Sequence, residues 1–189
     1  MNKSRKLSAL IPVLIIWGIL AVLFWSWIFT FLTDTDPAHK ITLFADVPVC
    51  HEKELAIELE QELPEGIRMV RVHPFTYAMF DGDAIRGADL YILKVADLEE
   101  YRDWLAPLPE QFRGQDVIFG ADGTPLGIPV FDPATGLAVA ESYLAYMVPG
   151  EDPGPYCLAF GASSLHLPAD SAGTPGSSAG IVSKLLTLH

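Results

Sequence analysis

The stretch KITLFADVPVCHEKELAIELEQELPEGIRMVRV, Lys40 to Val72, holds two short apolar runs on either side of an amphipathic segment. The first run is rich in β-forming residues and predicts a buried strand over Ile41–Ala45. The middle segment repeats leucine every four residues and reaches Pro64, which predicts a helix with one buried face. The second run alternates apolar and basic residues and predicts a strand over Ile67–Val72.

The next segments continue the alternation of strand and helix. A short helical piece is expected over Phe75–Arg86, and GADLYIL then predicts a third strand over Asp89–Leu93. This order is typical of parallel strands joined by right-handed crossovers. We therefore predict an α/β fold, one lobe with a parallel or mixed sheet flanked by helices. DLEEYRDWLAPL, Asp97–Leu108, predicts a further helix that stops at Pro107 and turns Leu98, Tyr101 and Leu105 inward.

The second half of the chain predicts antiparallel structure and a closing helix. DVIFGADGTPLGIPVFD places a turn at Ala121–Gly123 between two short strands, which predicts a β-hairpin. A helix or a loop is expected near Ala138–Met147, and the last strand over Tyr156–Phe160. AGIVSKLLTLH, Ala179–His189, predicts an apolar helix at the end of the chain.

The N-terminal part contains a long run without charge. No charged side chain occurs over the 26 positions from Leu7 to Leu32, and about 20 apolar residues suffice to cross a bilayer. Basic residues precede the run and aspartates follow it, so the positive-inside rule places the N-terminus in the cytoplasm. A cleavable signal peptide is the alternative. The run is longer than an ordinary signal-peptide core and no small-x-small site follows, which favours an uncleaved anchor.

These features predict four parts. We expect a cytoplasmic tail (1–6), a transmembrane signal anchor (7–33), a linker (34–40) and an extracellular α/β lobe (41–189). The expected location is a bacterial cytoplasmic membrane, crossed once, with the lobe outside. Beyond the span, nine Lys and Arg stand against 24 Asp and Glu, a net charge of −15. Such a surface repels phosphate, so nucleic acid is not an expected partner.

The chain has two cysteines, Cys50 and Cys157. An even count in an oxidising compartment permits one disulfide. Two reduced, buried cysteines are an equally good interpretation of the sequence.

Several short motifs resemble one lobe of the solute-binding proteins of ABC transporters, the type II periplasmic-binding fold. KITLFAD resembles the opening strand of that family, IRGADLYIL its G-A-P-D-V-hydrophobic strand, WLAPLP its L-x-P-L stretch and GTPLGIPV its G-K-x-Y-G-L-P hairpin. YCLAFGASSLHL is similar to the strand that crosses into the second lobe. Here the chain passes almost directly to its closing helix, so the resemblance implies a single lobe that offers half of a ligand site.

Ligands of open α/β sheets bind beyond the carboxyl ends of the strands. By that rule Asp46 follows the first strand and Lys94 the third, while Thr76 and Tyr77 follow the second. Hydrogen-bonding and aromatic side chains of this kind suit a sugar or a peptide. The alternative is that all four are ordinary loop residues.

Signatures of catalysis and metal binding are weak. GSSAG formally matches G-x-S-x-G around Ser178, but only His189 follows it, and a hydrolase needs an acid and a histidine downstream. CHEKE, Cys50–Glu54, lacks the H-E-x-x-H spacing of a zinc helix. We therefore expect no enzyme activity, no metal and no cofactor. The sequence predicts a membrane-tethered solute-binding-like module, or alternatively an accessory subunit of a membrane complex that binds a protein partner.

Overall fold

A computed structural model of the chain describes residues 3–33, 35–76, 82–114, 116–150, 153–167 and 176–188. The chain divides into two units, Met1–Thr35 and Asp36–His189.

The first unit is one helix, α1, which runs over Lys3–Thr33 and contains Pro12. Its side chains are described without a break only from Pro12 to Ser26, and all of these are exposed. Judged on the described residues, no helix of the chain is both long and apolar enough to cross a membrane.

The described residues of the second unit form nine short strands. They are β1 (Lys40–Ala45), β2 (Val49–Cys50), β3 (Met69–Pro74), β4 (Leu90–Lys94), β5 (Ile118–Phe119), β6 (Pro125–Asp132), β7 (Leu137–Ala138), β8 (Leu144–Ala145) and β9 (Tyr156–Phe160). Seven of them form one sheet in the order β3-β1-β4-β9-β6-β5, with β7 beside β6. The other two, β2 and β8, form a separate antiparallel pair.

The main sheet is mixed. β1 pairs in parallel with both β3 and β4, as the strand-helix-strand pattern predicts. β9 runs antiparallel to β4 and to β6, and β5 pairs antiparallel with β6. The predicted α/β class, the adjacency of the first and third predicted strands and the hairpin around Ala121–Gly123 are confirmed. β3 begins two residues later than predicted and ends at Pro74.

Helices and turns cover both faces of this sheet. The helices of the second unit are α2 (Glu52–Glu60), α3 (Gly82–Arg86) and α4 (Ser177–Leu185), and 3₁₀ turns lie at Pro37–His39, Val95–Asp97, Arg102–Trp104 and Glu110–Phe112. α2 buries Leu55 and Leu59 against one face, which α4 also covers. The opposite face carries a second apolar cluster around Phe44, Tyr91 and Leu93.

The predicted helix over Asp97–Leu108 is wrong. The chain forms separate 3₁₀ turns there, and Leu105 makes an antiparallel bridge with Gly161. The amide of Ala106 donates to the carbonyl oxygen of Phe160 at 2.8 Å, which requires extended backbone. Backbone pairing with the end of β9 therefore overrides the helical periodicity of the segment.

Two other expectations are corrected in part. The region near Ala138–Met147 forms turns and the short strands β7 and β8, so the loop alternative describes it better than the helix alternative. α4 ends at Leu185, earlier than predicted. In the segment Phe75–Arg86, α3 covers only the last five residues, while residues 77–81 lie outside the described part of the chain.

Candidate functional site

The parallel strands of the sheet end together at one edge, here called the carboxyl edge. β1 leaves it at Asp46, and the amide of Asp46 donates to the carbonyl oxygen of Ile92 at 2.8 Å. β4 leaves it at Lys94, and the next amide, that of Val95, donates to the Pro155 carbonyl oxygen at 2.9 Å. The first bond holds the end of β1 beside β4, and the second holds the end of β4 beside the segment that precedes β9.

Side chains of opposite charge lie near each other at this edge. The half-buried Asp46 has a pKa above the ordinary aspartate value because burial disfavours its charged form. The ammonium group of Lys94 acts against that effect and lowers the pKa, whereas the carboxylate of Asp97 raises it. The sheet therefore brings Asp46 and Lys94, far apart in sequence, within electrostatic reach of each other.

Aromatic rings stand beside these charges. Phe75, in the turn after β3, meets Tyr101 edge to face with 5.3 Å between ring centroids, and Tyr101 lies 5.0 Å from Trp104. The pKa of Tyr101 is raised by burial and then by the nearby carboxylates, that of Asp46 among them. We call Asp46, Lys94, Asp97, Phe75 and Tyr101 the carboxyl-edge cluster.

The four predicted ligand-binding residues have different outcomes. Asp46 and Lys94 come together, and Thr76 lies exposed in the turn that follows β3. Tyr77 lies outside the described residues. The sequence did not predict that Tyr101 lies at this edge. The helix expected over Asp97–Leu108 would have turned the Tyr101 side chain into the core.

The opposite, amino edge of the sheet holds a buried polar network. The Asp89 carboxylate accepts hydrogen bonds from the Thr42 amide, at 2.8 Å, and from the Ser164 hydroxyl. The Ser164 oxygen also accepts the His166 amide at 3.1 Å. Burial raises the pKa of Asp89 despite these bonds. No motif pointed to this network, because its members come from distant parts of the chain.

His166 is fully buried within the same network. Its Nε2 lies 2.9 Å from the Lys40 carbonyl oxygen and 3.1 Å from that of Pro37, so Nε2 carries the proton that is donated. Its Nδ1 has no hydrogen-bond partner among the described residues. The hydroxyl of Ser178, also buried, donates to the His166 carbonyl oxygen at 2.9 Å. Ser178 therefore ties α4 to the preceding segment.

The cysteines lie on different sheets. Cys50 is half-buried in β2 and Cys157 is buried in β9, and both are free thiols. Burial raises the pKa of Cys50 to about 11 and that of Cys157 to about 12. Within the described residues, no group of three His, Cys, Asp or Glu side chains is placed to hold a metal ion.

Comparison of the chain with models of protein families, with curated proteins and with solved structures finds no match. The resemblance to solute-binding proteins rests on the short sequence motifs. Function is therefore inferred from the fold and the carboxyl-edge cluster.

Replacing Lys94 tests the electrostatic pairing. In Lys94→Met, the pKa of Asp46 should rise further, because the ammonium group that lowers it is gone. An aspartate with a raised pKa in the folded state contributes stability at low pH that is lost as pH rises from the unfolded to the folded value. The variant should therefore lose stability over a wider pH window than wild type.

The measurement is a carbon-13 NMR titration of the Asp46 carboxyl group in the full chain. Lys184→Met, on α4, is the matched control and should leave the Asp46 titration in place. An unchanged Asp46 pKa in Lys94→Met would show that the two charges do not interact.

Proposed function

We propose that the chain is a membrane-tethered, extracytoplasmic module that binds a small polar solute and catalyses no reaction. The observation that carries this proposal is that Asp46 and Lys94 follow adjacent parallel strands and lie within electrostatic reach of each other, with Tyr101 within reach of Asp46. Ligands of open α/β sheets bind at this edge. The resemblance to one lobe of a solute-binding protein points to the same edge.

The chemistry of the carboxyl-edge cluster suits a sugar or a short peptide. Asp46 can accept hydrogen bonds from hydroxyl or ammonium groups, and Lys94 can meet a carboxylate or a hydroxyl oxygen. Phe75 and Tyr101 offer rings against which a sugar or an apolar side chain can pack. Thr76 and Tyr77 remain proposed ligand contacts on the segment after β3.

A single lobe supplies one wall of a site. Two-lobed receptors close around a ligand by hinge motion and bury most of its surface. One wall buries less, so we propose that a second copy of the chain or a membrane protein completes the site.

We also propose that α1 anchors the module. No helix qualifies as a span when only the described residues are counted, so the proposal rests on the sequence, in which residues Leu7 to Leu32 carry no charge. The 31-residue helix measures roughly 46 Å at about 1.5 Å per residue, against roughly 30 Å for a hydrocarbon core. The apolar side chains described between Pro12 and Ser26 are exposed, with Trp17 67% and Val22 69% accessible. Membrane insertion would remove this surface from water. The basic residues before this run and the aspartates after it favour a second unit outside the cytoplasm by the positive-inside rule.

A second candidate is an accessory subunit that binds a protein partner and no solute. The observation that favours it is apolar surface at the β2–β8 pair. Val49 in β2 is 48% exposed, and Met147, two residues beyond β8, is 57% exposed. Exposed apolar side chains that lie together mark protein contacts.

Ligand screening separates the two candidates. The full chain, in a non-ionic detergent, would be tested by thermal shift against sugars, amino acids and short peptides. A ligand that binds the folded state raises the melting temperature. Asp46→Asn and Lys94→Met should lose that shift, whereas Lys184→Met should keep it. No shift across the whole panel would contradict solute binding and favour the accessory subunit.

Fractionation and labelling test the anchor. The full chain should stay in the membrane pellet after alkaline carbonate extraction, because a spanning helix is not held by charge. With Cys50→Ser to remove the half-buried thiol, Glu141→Cys adds an exposed thiol to the second unit. A membrane-impermeant maleimide should label it in intact cells. Release by carbonate, or labelling only after lysis, would contradict the proposed topology.

A further inference from the structure

β3 lies at the end of the main sheet. It pairs with β1 on one side, and no described strand pairs with its other side. The amide of Val70 points to this outer side, since it donates to Oε1 of Glu60 at 2.9 Å and not to β1. Alternate residues of a strand present their backbone groups to the same side. Val72 therefore directs its N–H and C=O outward as well.

A groove of about 300 Å³ follows this outer edge. Its floor is β3 from Val70 to His73, and its wall is α2, which contributes Glu52, Lys53 and Ala56. An open strand edge binds another extended chain through main-chain hydrogen bonds. The groove therefore has the backbone chemistry to take an added strand.

Basic side chains gather at this edge, although the chain beyond α1 has a net charge of −15. Arg71 lies on β3, Lys53 lines the groove, and Lys40 lies on the neighbouring β1. Burial lowers the pKa of His73 most, Arg71 and Lys40 lower it further, and Glu52, which also lines the groove, raises it. Arg71, Lys53 and Lys40 thus outnumber the acids Glu52 and Glu60 at this edge. A local excess of positive charge in an acidic domain attracts acidic groups.

We propose that the outer edge of β3 binds an extended, acidic segment of a partner protein as an added strand. Main-chain hydrogen bonds to the edge supply the pairing, and acidic side chains of the segment face Arg71 and Lys53. A second copy of the chain is a poor occupant. Antiparallel self-pairing centred on Arg71 would set two arginines opposite each other, and like charges there oppose pairing.

Glu60 covers part of the same strand edge. Its carboxylate occupies the Val70 amide, one of the donors that an added strand would use. Its negative charge also opposes an acidic segment. Glu60 therefore competes with the proposed ligand and restrains uncontrolled strand addition, as charges on edge strands do.

The probe is a fluorescein-labelled peptide, Gly-Glu-Val-Glu-Val-Glu-Val-Gly, added to the full chain in a non-ionic detergent and followed by fluorescence polarisation. One comparison peptide has Lys in place of Glu and should bind about tenfold more weakly or less, because the charges then repel. The other has methyl groups on alternate backbone nitrogens, which blocks main-chain pairing. It should show no saturable binding if the ligand is an added strand.

Variants of the chain localise the binding. Arg71→Glu should weaken the binding of the acidic peptide about five- to tenfold, since the attraction between Arg71 and the peptide becomes a repulsion. Glu60→Ala should tighten it by freeing the Val70 amide. Glu60→Gln removes the charge but keeps an oxygen acceptor, so it should tighten binding less than Glu60→Ala. Circular dichroism verifies that each variant is folded.

Three results would overturn the proposal. The first is equal binding of the N-methylated peptide, and the second is unchanged peptide binding by folded Arg71→Glu. The third is a monomer–dimer equilibrium that Glu60→Ala strengthens and the acidic peptide leaves unchanged. The last would identify a second copy as the occupant. None of these results bears on solute binding at the carboxyl edge, so the two proposals fail separately.

Discussion

The carboxylate and backbone of Asp89 connect three strands at the amino edge of the sheet. The Asp89 amide donates to the Thr42 carbonyl oxygen at 3.0 Å, and its carboxylate accepts the Thr42 amide, so β1 and β4 are bonded twice at this point. The Asp89 carbonyl oxygen accepts the Gly161 amide at 2.9 Å, and the carboxylate accepts the Ser164 hydroxyl after β9. Gly161 admits this approach, because a Cβ there would overlap the Ala88 carbonyl oxygen.

The register set at the amino edge determines what stands at the carboxyl edge. Side chains alternate between the two faces of a strand, so a slip of one residue would move the buried face of β4 to the other side. With Asp89 bonded to Thr42, β1 ends at Ala45, just before Asp46, and the neighbouring β4 ends at Lys94. Losing a buried carboxylate that accepts amide and hydroxyl protons costs about 1–3 kcal/mol. The binding proposal depends on this register.

The sequence predicted the parts of the fold that local pattern determines. The β-rich runs that became β1, β4 and β9 are fully or nearly fully buried, and strands of that kind stand out as apolar segments. The rule for carboxyl ends put Asp46 and Lys94 at one edge of the sheet, where the structure has them, and their binding of a ligand stays a prediction. Tyr101 was missed because the pairing of Leu105 with Gly161, 56 positions away, overrides a helical period. The Asp89 network was missed for the same reason, since Ser164 lies 75 residues from its partner.

Residue-resolved hydrogen exchange of the full chain in wild type and Asp89→Ala tests the dependence of the carboxyl edge on Asp89 most directly. The amide of Val139, which donates to Val130, reports global stability in each protein. After correction for any change in global stability, the amides of Thr42 and Asp46 should both exchange faster in the variant. The reason is that the pairing of β1 with β4 is weakened along its whole length. Faster exchange at Thr42 with wild-type protection at Asp46 would contradict the account, since the binding edge would then be positioned without Asp89.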